Sequence, residues 1–572
     1  MKHKYLLFLA SALVFAASCS GKKDTLYIVT TGDVHGAYFN ESYVEEGSTR
    51  TSLMSVKHFV DSLRSEVGRR NVILLDAGDA LQGDNASYYY NYVDTEPVHI
   101  FARMASYMGY DAAIMGNHDV ETGHPVYDKV ARELKARGVP YLAGNYIKQD
   151  GTSYFPSYTI VRRSGRKVLV MGFGNANIKA WLSEELWSGM AFESLVPFVQ
   201  NAVDEAAAAE KPDAVIVVVH SGTGEGDGEV LESQGMDLFN SLKGVDVLVT
   251  SHDHRPYSDV KDNFAIVNCG SKAGNVGFVT LSDDAQGRHL TSSVVRLDKN
   301  AVDEDMVEKF RPDFEAVKAF TLEEVGTIEK TMRTRDAYAG MSDYINLIHT
   351  VQIAVPEARL SLAAPLTFDG SIKEGTLVFN DMFTVYPYEN QLFVVNLTGE
   401  EIVRCLEYSY DNWIQTPGAH VLKIACRPDP RTGSERWSFV NRSYNFDSMA
   451  GLVYDVDVTK PFGSRIAVKS LADGTAFDPV AVYPVAMTSY RANGGGDILP
   501  LGAGIKDVEA EGRVVAKYPE IRTLIYDYIK ENKSVTEELV SDRSVIGAWK
   551  FVPESVAGPL LQADLKLLFP RD

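Results

Sequence analysis

The chain is poor in cysteine, with four in 572 residues, at Cys19, Cys269, Cys405 and Cys426. No cysteine falls within the polar clusters described below, which excludes thiolate zinc chemistry there. The three cysteines after Cys19 are odd in number and cannot all pair. A Cys405–Cys426 disulfide stays open, and buried free thiols are the default expectation for all three. Basic tracts are absent as well: Lys and Arg number 56 against 77 Asp and Glu, a net charge of −21. That balance excludes a nucleic-acid polymer or an anionic membrane surface as the natural partner, because nothing is available to neutralise phosphates in series. A small anionic substrate is not excluded, since bound cations would dominate the local field. Beyond the N-terminus no apolar run is long enough to cross a membrane, and there is neither an internal repeat nor a low-complexity tract. What is present is 45% hydrophobic and 23% charged, long enough for several cores.

The N-terminus reads as a targeting segment. Lys2 and Lys4 precede an apolar run, Tyr5–Ala17, of signal-peptide length. Ala16-Ala17-Ser18-Cys19 resembles a bacterial lipobox, in which Cys19 would be lipidated and become the new N-terminus. An ordinary signal peptide cleaved nearby is the alternative. The expected product is exported, periplasmic or at the cell surface, and touches a membrane only through a lipid anchor at Cys19.

One pattern recurs five times: a short β-branched run that ends in Asp, His or Asn. Thr25–Thr31 runs into Gly32-Asp33-Val34-His35-Gly36, Asn71–Leu75 into Asp76-Ala77-Gly78-Asp79, and Asp111–Met115 into Gly116-Asn117-His118-Asp119. Asp213–Val219 runs into His220-Ser221-Gly222, and Val245–Thr250 into Ser251-His252-Asp253-His254. Such runs read as buried strands, and in open α/β architectures sites form at the carboxyl ends of strands. The five loops therefore bring together the ligand inventory of a two-metal phosphoester hydrolase. Two divalent cations about 3.5–4 Å apart can hold one water, lower its pKa and clamp attacking and leaving oxygens. One ion would take Asp33, His35, Asp79 and His254, and the other Asp79, Asn117, His220 and His252, with Asp79 bridging. Imidazole and carboxylate ligands suit Zn, Mn, Co or Fe without choosing among them. His118 would project toward substrate, to stabilise phosphoryl charge or protonate the leaving oxygen.

These motifs resemble the catalytic domain of the calcineurin-like metallophosphoesterases, and within them the 5′-nucleotidase family. The resemblance extends over nearly the whole chain. It implies an N-terminal metallophosphoesterase α/β sandwich and a C-terminal α/β nucleotide-recognition domain. The family usually carries Asp three residues after the catalytic His; here that place is Glu121, which is expected to orient His118 with a longer arm. The expected organisation is a signal peptide over 1–19, a tether over 20–24, the catalytic domain over 25–297, a linker helix over 298–330, the second domain over 331–517, and a tail over 518–572 with a docked helix, Glu520–Glu531. The charged loop Gly222–Glu232 is read as solvated.

Two stretches of the second domain bear on substrate: Tyr444-Asn445-Phe446-Asp447 and Tyr490-Arg491-Ala492-Asn493-Gly494-Gly495-Gly496-Asp497. Two rings on separate loops can sandwich a planar base, at about 1–3 kcal/mol per base. Phe446 and Tyr490 are the expected pair, with Asp497 accepting from a ribose hydroxyl, and the resemblance implies the same roles. The family's 5′-nucleotidases carry an Asn-Gly-Gly-x-Ile-Arg stretch, whereas this chain has Ser361-Leu362-Ala363-Ala364-Pro365-Leu366. Ala and Pro cannot replace the planar fork by which Arg holds phosphate. Together these segments look like the bacterial 2′,3′-cyclic-nucleotide 2′-phosphodiesterase/3′-nucleotidase branch. The expected activity is opening of 2′,3′-cyclic nucleotides and removal of the 3′-phosphate by attack of a metal-bridging hydroxide. A 5′-nucleotidase or nucleotide-sugar hydrolase of the same fold is the alternative, and a non-catalytic surface-binding protein a remote one.

Overall fold

All five motif runs form strands in the computed structural model, which describes residues 24–428 and 434–570. The expected signal peptide and the lipidation site Cys19 lie outside the described residues. Leu26–Thr31 pairs in parallel with Val72–Asp76, which continues to Ala112–Ile114 and Tyr141–Leu142. On the other side of Leu26–Thr31, Asn275–Asp284 and Gly287–Arg296 add antiparallel, giving six strands. A second six-stranded sheet holds Ala214–Val219 between Arg166–Phe173 and Val247–Thr250, all parallel. Thr31 lies opposite Asp76, and Val218 opposite Val249, so neighbouring ligand loops leave their strands at one level.

The two sheets pack face to face. Ile28, Ile73, Leu75 and Ile114 of the first meet Val170, Ile216, Val218 and Val249 of the second, all at most 1% exposed. Each such side chain contributes about 1.5–3 kcal/mol by burial. Helices cover the outer faces: Leu53–Val67, Ile100–Met108 and His124–Ala136 on one, Leu195–Glu210 and Gly235–Ser241 on the other. This is the expected α/β sandwich.

The stretch over 298–330 is not one linker helix. It forms two helices, Glu304–Lys309 and Arg311–Thr321, followed by the strand Glu324–Ile328. Pro312 sits in the first turn of the second helix, where it lacks an N–H and clashes with the preceding turn, so the helix breaks at Phe310. Glu324–Ile328 pairs with Gly375–Val378 and Ser534–Val535 and so belongs to the second domain.

That domain is built on a five-stranded sheet in the order Ser448–Ala450, Leu360–Ala363, Val482–Thr488, Gln391–Thr398 and Val514–Glu520. The helix Gly399–Trp413 packs its buried face, including Ile402, Leu406 and Trp413, into the same core. The segment after residue 517 is not an appended tail. Its helix, Ile521–Asn532, is present, but Ser534–Val535 and Gly547–Val552 also complete two further sheets, and Glu554–Leu568 closes the core. Cys269 and Cys405 are buried free thiols, whereas Cys426 is exposed and unpaired, which corrects the expectation of burial there. Among the described residues no helix is long and apolar enough to cross a membrane.

The domains meet at Arg522, which is 1% exposed. Its guanidinium lies between the rings of Tyr88, 4.8 Å away in the first domain, and Phe383, 4.3 Å away in the second. Glu389 at 2.9 Å and Glu520 at 2.7 Å neutralise it. Nearby, Asn85 Nδ2 donates to Asn380 Oδ1 across the interface at 3.0 Å.

Candidate metal centre and substrate cleft

The ligand loops converge on two groups. Asp33, His35 and His254 form one, and Asp79, His220 and His252 the other, with the ligand atoms of each within 4.8 Å of one another. Asn117 Oδ1 joins the second, 3.0 Å from His220 Nε2 and 2.9 Å from His252 Nδ1. All seven expected metal ligands are thus brought together. Asp79 belongs to the second group, and its charge also acts on His35 of the first.

Protons decide what these groups can hold. His220 Nδ1 faces the Ala77 carbonyl at 2.7 Å, and a carbonyl only accepts, so Nδ1 carries the proton. In the neutral ring Nε2 is then a lone pair, and it points at Asp79 Oδ2, 3.0 Å away, and at Asn117 Oδ1. His35 repeats the arrangement. Its Nδ1 faces the Gln82 carbonyl at 3.2 Å, while Nε2 faces His254 Nε2 at 3.0 Å. Asp33 Oδ1 and Asp79 Oδ2 are buried without a hydrogen-bond donor. With the imidazoles neutral, each focus is a set of converging acceptors that a cation satisfies in place of a proton, and the histidine-to-carbonyl bond is the usual orientation device of metal-binding imidazoles. The residues therefore fit divalent ions.

The backbone is strained to achieve this. Asp33, His35, Asp79, His252 and His254 all have φ between +46° and +70°, the left-handed region that side chains disfavour. Asp33 Oδ2 accepts from Ser251 Oγ at 2.5 Å and from the His252 N–H at 2.9 Å, tying the first loop to the last. A Cβ on Gly116 would lie 2.1 Å from Asp79 Oδ1, so only glycine lets the Asn117 loop approach the Asp79 loop this closely.

Electrostatics follow from burial against the carboxylates. Burial pushes His35 down to about 4 and His252 down to about 3. Burial acts the same way on His220, but the Asp79 carboxylate outweighs it and raises His220 to about 9. Against burial, His220 and His118 hold Asp79 well below the usual carboxylate range.

His118 is the second residue of the short helix Asn117–Glu121 and is partly exposed. Its Nδ1 lies 2.5 Å from Glu121 Oε2, which leaves Nε2 for the cleft. Burial opposes its protonation, but Glu121 and then Asp79 outweigh burial and raise His118 to about 10. Asp119, part of the same motif but assigned no role from sequence, is a further support. Its buried carboxylate accepts from the N–H groups of Asp79, Ala80, Leu81 and Gly116 at 2.8–3.0 Å. Trp181, also not singled out, stacks on His252 with ring centroids 5.3 Å apart and walls the site.

The second domain faces this centre with tyrosines. Burial and, after it, Tyr444, Tyr490 and Glu121 raise Tyr388, whose ring centroid lies 6.4 Å from that of Tyr444. Tyr490 is half-buried, and Asp497 is exposed in the following turn with φ +60°. Phe446 is a correction. It is 0% exposed, stacked on Trp413 at 5.5 Å with an interplanar angle of 6° and walled by Phe439. No face is left for a base. Tyr444, two residues earlier, is half-buried, with its ring centroid 6.4 Å from that of Tyr388. In the loop after His220, Glu225 and 227–231 are exposed as expected, but Glu232 is half-buried and its carboxyl is raised by burial against the charge of Arg442.

Comparison with known proteins agrees with this architecture. Residues 26–256 match the family described as calcineurin-like phosphoesterase, and residues 324–501 the 5′-nucleotidase C-terminal domain. The chain is 25% identical to a 2′,3′-cyclic-nucleotide 2′-phosphodiesterase/3′-nucleotidase of Haemophilus influenzae, over 97% of this chain and 92% of that one. It is 23% identical to a 5′-nucleotidase of Vibrio vulnificus, over 66% of this chain and 75% of that one. A crystal structure of a candidate 5′-nucleotidase from Staphylococcus aureus superposes with a TM-score of 0.76 at 19% identity, covering 92% of this chain and all of that one, which establishes the shared fold. The chain joins a calcineurin-like phosphoesterase domain to a 5′-nucleotidase C-terminal domain and belongs to the 5′-nucleotidase family of metallophosphoesterases.

Proposed function

We propose that this protein is an exported nucleotide phosphohydrolase that opens 2′,3′-cyclic nucleotides and then removes the 3′-phosphate. The observation that carries the hydrolase reading is the convergence of His220 Nε2, Asp79 Oδ2 and Asn117 Oδ1, with His220 Nδ1 committed to the Ala77 carbonyl. Divalent cations held there and at Asp33, His35 and His254 would supply activation of water and neutralisation of phosphoryl charge. His118, oriented by Glu121, presents Nε2 to the leaving oxygen and donates a proton to it. In the first reaction the P–O2′ bond breaks, water adds to phosphorus, and O2′ receives the proton. In the second the P–O3′ bond breaks in the same way. Tyr444 and Tyr490 hold the base and Asp497 the sugar.

The preference for cyclic and 3′ substrates is supported by the stretch beginning at Ser361. Leu360–Ala363 is a fully buried strand and Ala364 is 4% exposed, so this stretch offers no cationic fork to a 5′-phosphate. The relative from Haemophilus influenzae supports the same preference. Lys2, Lys4, the run Tyr5–Ala17 and Cys19 support export with a lipid anchor. Stripping with a chelator and reloading with Mn or Co tests the hydrolase reading. Phosphate release from 3′-AMP should vanish and return, and release unaffected by full metal removal would refute it.

A further inference from the structure

Beyond the metal centre, the second domain buries an ion pair between Arg491, which is 2% exposed, and Asp447, at 1%. Its Nε lies 3.0 and 3.1 Å from the two Asp447 oxygens, and Nη2 donates to Asp447 Oδ2 at 2.8 Å. Nη2 also donates to the Tyr444 carbonyl at 2.5 Å, and Nη1 to the Gly495 carbonyl at 2.8 Å. One guanidinium thus grips both cleft loops: the turn that carries Tyr444, and the segment that follows Tyr490. Both partners are anchored in turn. The Arg491 N–H donates to Thr488 Oγ1 at 3.0 Å, and the Asp447 carbonyl accepts from Ser409 Oγ at 2.8 Å on the helix Gly399–Trp413. Tyr490 is held from two sides. Arg491 Cζ lies 5.0 Å from its ring centroid, and a Cβ on Gly495 would come within 2.4 Å of Tyr490 Cε2.

We infer that Arg491, paired with Asp447, is the positioning residue that sets the separation of the Tyr444 and Tyr490 rings, and with it the grip on the nucleotide base. This rests on the proposed nucleotide reading. A buried ion pair that served only stability would be replaceable by packed apolar groups, and would have no reason to hold the Tyr444 carbonyl itself. Lysine could keep the charge but not the bonds, because its compact ammonium cannot span a carboxylate and two carbonyls in fixed directions. The hydrogen-bond partners of both residues lie on Ser409, Tyr444, Thr488 and Gly495 of the second domain, so the effect is expected on base binding.

The test compares a nucleotide with a substrate that has no base. R491K is assayed on 3′-AMP and on bis(p-nitrophenyl) phosphate, with metal content and thermal melting measured on the same preparation. The expected result is a rise of roughly tenfold in KM for 3′-AMP, the size of a lost stacking contact, with kcat on 3′-AMP and kcat/KM on the base-free diester within about twofold of wild type. A folded R491K with unchanged KM for 3′-AMP, or with equal losses on both substrates, would overturn the inference. If R491K does not fold, D447E, which keeps the charge and shifts the carboxylate, carries the same expectations. Y444A and Y490A separate the two levels. If they leave KM for 3′-AMP unchanged, the base-clamp reading itself fails; if they raise it and R491K does not, only the positioning role fails.

Discussion

Glu121 Oε2 lies 2.5 Å from His118 Nδ1, one helical turn along the same five-residue helix. The longer arm of glutamate therefore reaches where the family usually has aspartate. Glu121 is 7% exposed, so the pair is shielded and the imidazole has one defined orientation. Replacing His118 by Ala should lower kcat by about 10²–10⁴-fold, the usual contribution of a positioned proton donor. Glu121→Asp, which restores the residue the family usually carries, should lower kcat less than Glu121→Ala, because a carboxylate one methylene shorter still faces Nδ1. The check is kcat with metal content measured alongside; near wild-type turnover in a metal-replete His118→Ala would remove that residue from the mechanism.

Strain at the metal loops leads to a stability prediction. Five ligands sit at positive φ and two carboxylate oxygens lack donors, so the ion-free centre is held against its own preferences. A ligand that binds only the folded state stabilises it by mass action. Reloading chelator-treated protein with Mn should raise the first domain's melting temperature, and Asp79→Asn should abolish that rise. A melting curve insensitive to metal in the wild type would contradict the fit of these residues to ions.

Acid should unfold the second domain in part through His349. This residue is 2% exposed, with its ring nitrogens 2.8 Å from Ser361 Oγ and 3.2 Å from Ser448 Oγ. Burial pushes it down from 6.5 to about 3. Because the folded state disfavours its proton, its contribution is fully present above pH 6.5 and is lost as pH falls toward about 3. The expected slope is about 1.4 kcal/mol per pH unit from this one group. Urea unfolding at pH 7, 6 and 5 measures it, and His349→Gln should flatten the dependence. An unchanged slope in that variant would assign the acid sensitivity elsewhere.

Two aromatic residues separated by one position should behave in opposite ways. Tyr444→Ala removes a ring from the cleft, and KM for nucleotides should rise roughly tenfold with little change in melting. Phe446→Ala opens a cavity beside Trp413, and the expected loss is about 3–5 kcal/mol of stability. Chemical denaturation and steady-state kinetics on both variants check the pair; a folded, stable Phe446→Ala with a raised nucleotide KM would restore Phe446 to the cleft.

The contrast between Tyr444 and Phe446 marks how far the sequence reaches. The metal centre is legible because each ligand follows directly on a buried β-branched run, so sequence neighbours and spatial neighbours coincide. Glu121 is legible for the same reason, lying one turn from His118. Which of two alternating aromatics is buried is set instead by Trp413, on the helix Gly399–Trp413, and by Phe439, at the end of the strand Glu435–Phe439. The same holds for the segment after residue 517. Gly547–Val552 pairs with Leu452–Asp457, a contact that no local pattern announces. The break at Phe310 is different, since Pro312 was a visible signal that a single helix over that stretch could not accommodate.

The central claim is a metal-dependent hydrolase whose second domain favours cyclic and 3′ nucleotides. Its most direct test is turnover of 2′,3′-cyclic AMP, 3′-AMP and 5′-AMP side by side in the Mn-loaded protein, with ring opening followed separately from phosphate release. Turnover of the first two, with 5′-AMP poor, is the predicted result. Dominant turnover of 5′-AMP would contradict it and mean that a residue outside Ser361–Leu366 grips the 5′-phosphate.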